Sequence, residues 1–330
     1  MTTLTNLNST TAVRRAAVRA TRAPSIHNTQ PWELVIDGNT IELRADPTRR
    51  LPVLDPHGRQ LLLSCGCALF NARAALAAAG RAVTIARLPD RSDPNVLARI
   101  VVHEAGEGTI EQDIARLDPA IDVRRTNRRQ FASDHVPAGL VQAFLAQGRA
   151  EGAEVGSVER PEDRVAVAVL AQRADAIENA DPAYRAELRA WTSDDPGRDD
   201  GVPAFAVPHV DGAAHDDVPI RDFDARGTGG LPSATHSSLE QALLLIGSLE
   251  DSRLAWLRTG EALERVLLEI ATHGYTAGFL TQAIEVTQTN VLLRQELRLR
   301  MHPHVLLRVG LAEATPPTRR RRLVDVLSDS

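Results

Sequence analysis

The chain has 330 residues, is 43% apolar and 25% charged, and carries a net charge of −5. These values fit one large globular domain or two modest ones, and they give no general attraction to nucleic acid or to an anionic membrane. No apolar run reaches the length of a bilayer span, so neither partner is expected.

The first helix is expected from about Thr11, capped by Ser9, Thr10 or Thr11, with Val13, Ala17 and Ala20 on one face. Residues 1–22 are rich in Thr and Arg and free of acids, as a transit peptide is, but no secretory apolar region follows. A loop at residues 23–25 leads to a hairpin, residues 33–37 and 40–45, turned at Asp37-Gly38-Asn39. A long helix is expected over residues 58–79, ending at Gly80, with strands near residues 83–88 and 98–104. Within that helix Cys65 and Cys67 point to different faces and lack metal-binding companions. They read as buried free thiols of a reducing compartment, which makes the cytoplasm the expected location.

The pattern then restarts. Residues 137–147 are helical by spacing, and Pro161 and Pro182 each open a further helix. Residues 192–232 are rich in Asp, Gly and Pro and read as a long loop. An apolar run at 242–246, helices near 251–273 and 286–299, and a strand at 305–311 complete the chain. His302-Pro303-His304 reads as a turn, and Arg226-Gly227-Thr228-Gly229-Gly230 as a flexible loop that lacks the strand and helix of a phosphate cradle.

The two long helices resemble each other. Arg59, Gly66, Ala68, Leu69 and Gly80 recur, at identical intervals, as Arg253, Gly260, Ala262, Leu263 and Gly274. An extended segment follows each set. The matches point to one ancestral half-unit used twice.

Two polar constellations carry the candidate chemistry. In Ala23-Pro24-Ser25-Ile26-His27-Asn28-Thr29-Gln30-Pro31-Trp32, the side chains of Ser25, Asn28 and Gln30 offer donors and acceptors on a loop stiffened by proline. Such a loop suits the edge of a planar heterocycle, and equally a capped loop leading into a strand with Trp32 in the core. In Arg124-Arg125-Thr126-Asn127-Arg128-Arg129, guanidinium forks and a hydroxyl can close around a phosphate, or form a solvated basic turn. The chain contains no Lys, so any phosphate it binds is held by Arg, hydroxyls and backbone amides. A further run, Arg319 to Arg322, stands near the C-terminus ahead of Leu323, Val324, Val326 and Leu327.

These motifs resemble those of the nitroreductase family, and within it the actinobacterial Acg-like branch. The Ser-x-x-Asn-x-Gln-Pro-Trp loop is similar to the family's flavin-contacting loop. Arg-Arg-Thr-x-Arg is similar to its Arg-Arg-Ser-x-Arg phosphate motif, with Thr126 for Ser, and residues 251–310 and the Arg-rich tail look like its closing elements.

The resemblance implies an α+β nitroreductase-type fold, duplicated in tandem as an intrachain pseudo-dimer, with halves at residues 1–120 and 121–330 and a lid over 192–232. It implies FMN as cofactor. Arg124, Arg125, Thr126 and Arg128, joined by Arg320 or Arg321, would meet the phosphate and ribityl chain. Pro24, Ser25, Asn28 and Gln30 would face the other edge of the flavin, and backbone at Phe279, Leu280 and Thr281 would lie near N5.

Because the loop and the phosphate motif each occur once, one complete site per chain is expected, and a monomer suffices. Two functions follow from the resemblance. One is FMN held under a lid without efficient NAD(P)H turnover. The other is an NAD(P)H-dependent reductase of nitroaromatics or quinones. No side-chain acid or base is required by either.

Overall fold

Strict alternation of buried and exposed residues builds the first hairpin: β1 (Trp32–Asp37) pairs antiparallel with β2 (Thr40–Ala45) in the register Trp32–Ala45 to Asp37–Thr40. The computed structural model describes residues 9–104, 107–207, 221, 223 and 241–330. Before the hairpin lies α1 (Ser9–Ala20), whose Ala12, Val13, Ala16, Ala17 and Ala20 are buried. After it come α2 (Arg59–Ala78), β3 (Val83–Arg87), β4 (Val96–Val102) and the short α3 (Gln112–Ala115) and α4 (Ala120–Val123).

The second half repeats the order with α5 (Ala138–Ala150), β5 (Glu154–Ser157), β6 (Ala242–Ser248), α8 (Arg253–Thr272), β7 (Thr276–Phe279) and β8 (His302–Gly310). Between β5 and β6 the chain inserts α6 (Pro161–Ala180) and α7 (Pro182–Ala190); between β7 and β8 it inserts α9 (Gln282–Glu285) and α10 (Thr287–Glu296). A final strand, β9 (Leu327–Asp329), returns to the first half and lies parallel to β1.

The two sheets share one topology. Strands run β1-β2-β4-β3 in the first and β5-β6-β8-β7 in the second, antiparallel throughout. Even the irregularities correspond: the register shifts at Leu43/Arg44 in one middle pair and at Ile246/Gly247 in the other. Both long helices are followed by a glycine at positive φ, Gly80 (68°) and Gly274 (76°). The fold is therefore α+β and a tandem repeat of one half-unit.

The repeat is locked where α2 crosses α8. A Cβ on Gly66 would stand 2.2 Å from the Leu257 carbonyl oxygen, and one on Gly260 would stand 2.2 Å from that of Leu63. Each glycine faces the leucine that precedes its counterpart by one helical turn, which is the signature of a local twofold axis. Around this crossing a single apolar core joins α1, α2, α5, α8 and one face of each sheet. A second core, packed from α6, α9 and α10, covers the outer face of β6 and β8 through Leu243, Leu245 and Leu306. Burial on both faces is why β6 reads as an unbroken apolar run.

Three expectations are corrected. His302-Pro303-His304 is the start of β8, paired with Gly247 and Ser248, and not a turn. The membrane reading missed that α2 is long and apolar enough to cross a bilayer by length and composition; it is a core helix, 94% buried over its most apolar stretch. The four-residue β5 was not anticipated. The Arg226–Gly230 loop lies outside the described residues.

Candidate functional site

Between α1 and β1 the chain spends residues 21–31 on a loop of unusual backbone. His27 (φ 47°), Asn28 (φ 54°) and Gln30 (φ 50°) are all left-handed, which is costly for residues with a Cβ and persists only where the surroundings impose it. Several bonds impose it here. Ser64 on α2 accepts from the Ile26 amide at 3.1 Å, and Ser25 Oγ accepts from the Gln30 amide at 2.9 Å. Asn28 Nδ2 donates to the Gly201 and Arg319 carbonyls, and Gln30 Nε2 donates to the Asp199 carbonyl. Gln30 Oε1 accepts from the Arg321 amide at 2.8 Å. The loop is thus tied to the tail on one side and to residues 199–201 on the other.

The second constellation is stitched to β7. The Asn127 amide donates to the Ala277 carbonyl at 2.8 Å, opposite Thr126. This approach requires Gly278, where a Cβ would lie 2.6 Å from the Asn127 carbonyl oxygen.

Together the two segments frame a pair of adjoining cavities, both walled by Pro24, Ser25, Thr126 and Arg128. The first encloses about 780 Å³, open mouth included, between Leu63 and Cys67 of α2, Leu263 of α8, and Phe279 and Thr281 at the end of β7. Its wall carries polar atoms without hydrogen-bond partners among the described residues: both ring nitrogens of His27, Nε2 of Gln60 and Oε1 of Gln282. Burial, with Arg221 and Arg128 nearby, holds the His27 imidazole well below the usual histidine range, so it is neutral and can donate and accept.

The second cavity, about 700 Å³ with its mouth, is lined by Arg22, Arg124, Arg125, Arg128 and Arg320. Among the described residues the one acid on its wall, Asp122, is paired with Arg19 at 2.5 Å. Burial and then Arg124, Arg22 and Arg125 push Arg320 down to about 9, while burial and Arg221 push Arg128 down to about 10. An anion placed among these cations would relieve their mutual repulsion.

Arg221 and Phe223 stand on the wall of the first cavity. Phe223 packs edge-on to His27 (5.2 Å between centroids) and lies under the Arg128 guanidinium at 5.0 Å. Arg221 bonds the Tyr184 hydroxyl and Glu285, with Glu178 at 3.6 Å. Phe223 joins Leu51, Leu54, Tyr184, Leu188 and Val202 in a separate apolar cluster. The rest of the lid expected over 192–232, beyond residue 207, lies outside the described residues.

The structure brings Pro24, Ser25, Asn28, Arg124, Arg125, Thr126, Arg128, Phe279, Thr281 and Arg320 onto the cavity walls. Three others lie off them. Gln30 is wholly buried and serves the loop, Leu280 belongs to the core beneath α9, and Arg321 donates to the Gln30 and Trp32 carbonyls and stands 3.4 Å from Asp46. Sequence reasoning missed His27, Gln60, Gln282, Arg221 and Phe223; His27, inside the quoted loop, was in plain view.

At the positions that correspond to this site in the repeat stands an ion-pair cluster. Cys67 corresponds to Glu261, which is 1% exposed and bonded by Arg73 (2.8 Å) and Arg87 (2.6 Å). Arg73 also pairs with Glu111 and Glu151, and Arg265 with Glu151 and Asp113. Where the first half has the loop 21–31, the second passes from α5 to β5 in residues 151–153.

No family model matches the chain. Among curated proteins, the Mycobacterium tuberculosis protein Rv3131, whose name places it among the NAD(P)H nitroreductases, is 37% identical over 96% of this chain and 90% of its own length. Acg of the same species, named likewise, is 33% identical over 96% of this chain and 95% of its own. Of solved structures, a nitroreductase with bound FMN from Bacteroides fragilis covers 62% of this chain and 94% of its own at 14% identity, with a TM-score of 0.38. Identity to Rv3131 and Acg over nearly the whole of both chains decides the assignment: this chain belongs to the nitroreductase family.

Proposed function

We propose that the protein is an FMN-binding flavoprotein that holds one FMN per chain at the junction of its two halves, an intrachain pseudo-dimer, beneath the cover made by Arg221 and Phe223. The observation that carries this reading is the juxtaposition of a cavity walled by unpartnered amide and imidazole atoms with one lined by arginines. A flavin pyrimidine edge offers alternating donors and acceptors to Gln60, Gln282 and His27. Its phosphate, close to two charges at neutral pH, suits Arg124, Arg125, Arg128 and Arg320 with the Thr126 hydroxyl. Pro24, Ser25 and the backbone from Phe279 to Thr281 would flank the ring, and Asn28 would hold Arg320 in place through its 3.0 Å bond.

Bound FMN supplies hydride and electron transfer; the protein supplies orientation and exclusion of water. The relatives' names support NAD(P)H as donor and a nitro compound as acceptor, with a quinone as the alternative acceptor. The ion-pair cluster around Glu261 supports one flavin and not two. Two unpaired buried thiols fit a cytoplasmic setting.

With Phe223 over the cavity, nicotinamide lacks the stacking distance that hydride transfer needs, and we read the cover as limiting turnover. The test is the visible spectrum of the full chain before and after NADPH, beside Phe223→Ala. A flavin spectrum that bleaches slowly in wild type, and at least about tenfold faster in Phe223→Ala, is expected. Equal and rapid bleaching overturns the cover and leaves an open NAD(P)H-dependent reductase. Failure to take up any flavin overturns the site.

A further inference from the structure

Glu264 is a carboxylate that the site described above does not use. It is 0% exposed, and its oxygens have no hydrogen bond of good geometry among the described residues, the Asn71 side chain being the neutral polar group set against them. It stands on α8 behind the arginine-lined cavity, with Oε1 3.6 Å from Nε of Arg124. That Nε and the Nε of Arg320 are themselves without hydrogen-bond partners. Cys67 and Asn71 face it from α2, Arg124 from the segment after α4 and Arg320 from the tail, with Arg22 and Arg125 pressing on Arg320 from beyond. In the other half of the repeat the corresponding position is Phe70, inside an apolar cluster. The carboxylate stands only where the arginines converge.

We infer that Glu264 is the resident counter-ion of Arg124 and Arg320, and that it couples binding of the flavin phosphate to uptake of one proton. The inference rests on the FMN reading above. Before an anion arrives, the negative charge of Glu264 offsets the two guanidinium groups. A phosphate dianion takes over that role, and the carboxylate, fully buried with only the Asn71 side chain to support it, then keeps its charge only at a desolvation cost that a proton removes. Charge balances: one FMN dianion and one proton enter together.

Burial already lifts Glu264 to about 7, with Arg124 pulling the other way, so the exchange falls in the neutral range. Of the neighbours, burial raises the Cys67 thiol well above its usual value, and it stays protonated there. Arg320, pushed down to about 9 by burial and then by Arg124, Arg22 and Arg125, stays mainly charged there. Glu264 thereby makes binding of the phosphorylated flavin, and not of its phosphate-free form, depend on pH.

Titrate the full-length protein with FMN and with riboflavin by calorimetry at pH 6.5 and pH 8, in buffers of different ionisation enthalpy. The phosphate's own second pKa, near 6, lies below this window. Wild type is expected to take up close to one proton per FMN at pH 8 and to bind FMN about tenfold more weakly there than at pH 6.5. Glu264→Gln should lose the uptake and the pH dependence, and at pH 8 should bind FMN about tenfold more tightly than wild type. Riboflavin should take up no proton in either protein and report that the variant is folded.

The same uptake in Glu264→Gln, or weaker FMN binding with riboflavin retained, overturns the inference. If the variant loses riboflavin as well, the wild-type count decides: no proton taken up with FMN overturns it. A wild type that binds neither ligand overturns the FMN reading itself, which separates the two failures.

Discussion

Arg320 and Arg321 are adjacent in sequence and serve different parts of the molecule. Arg320 lines the arginine-rich cavity and bonds Asn28 and the Arg22 and Ala23 carbonyls, while Arg321 reaches the other way, to Trp32 and Asp46. A charge-assisted bond contributes roughly 1.5–3 kcal/mol. Arg320→Ala should therefore weaken FMN about tenfold to a hundredfold and leave riboflavin nearly unchanged. Arg321→Ala should lower the unfolding temperature and affect both ligands alike. Parallel FMN and riboflavin titrations with thermal melts distinguish the two, and equal phosphate-specific losses would contradict the assignment. The arginine-rich character of the site was legible because the chain has no Lys to share the task. Which tail arginine turns inward was not, since it depends on the direction in which the chain crosses Gln30. Gln60, Gln282 and Glu264 sit at unremarkable helical positions, and only packing turns them toward the site. One signal for Glu264 was nonetheless present: aligning the two long helices sets it against Phe70.

Among the elements, the α2–α8 crossing orders the rest, because one face of each sheet packs on it and both helices wall the first cavity. Gly66→Ala or Gly260→Ala forces a methyl group against a backbone carbonyl at a contact that has no flexible side chain to yield. Each should destabilise the protein by about 3 kcal/mol or more, at or beyond the upper end of ordinary overpacking. Gly139, near the start of α5, has open space around its Cβ direction, and Gly139→Ala should be neutral or slightly stabilising. Urea unfolding of the three variants checks this, and a Gly260→Ala midpoint equal to wild type would show that the helices separate freely. The five matched positions of the two helices made the repeat legible, since close helix contacts and helix ends both demand glycine. The strand β5 was hidden because four residues, one of them Gly156, give too little alternation to register. The corresponding strand orders emerge only from pairing in space.

Across the whole molecule, one half-unit used twice has become asymmetric. The first half keeps the long polar loop, and the second contributes the arginines. The tail returns as β9 to join the first sheet, carrying Arg320 to the cavity as it passes. At the mirror position the loop has shrunk to residues 151–153, and Glu261, Arg73 and Arg87 occupy the space that corresponds to Cys67 and its surroundings. That space is closed by charge pairs buried among helices, and opening it would strand several ions without water. The two motifs occur once each in the sequence, but the ion-pair cluster was unreadable there, because Arg73, Arg87 and Glu261 come from α2, β3 and α8 at scattered positions. The central claim, one flavin site built jointly by both halves, is tested most directly by native mass spectrometry of the full-length protein across a titration with FMN. The account predicts saturation at a single added FMN mass per chain, in wild type and at excess ligand alike; a second tightly held FMN per chain would contradict it.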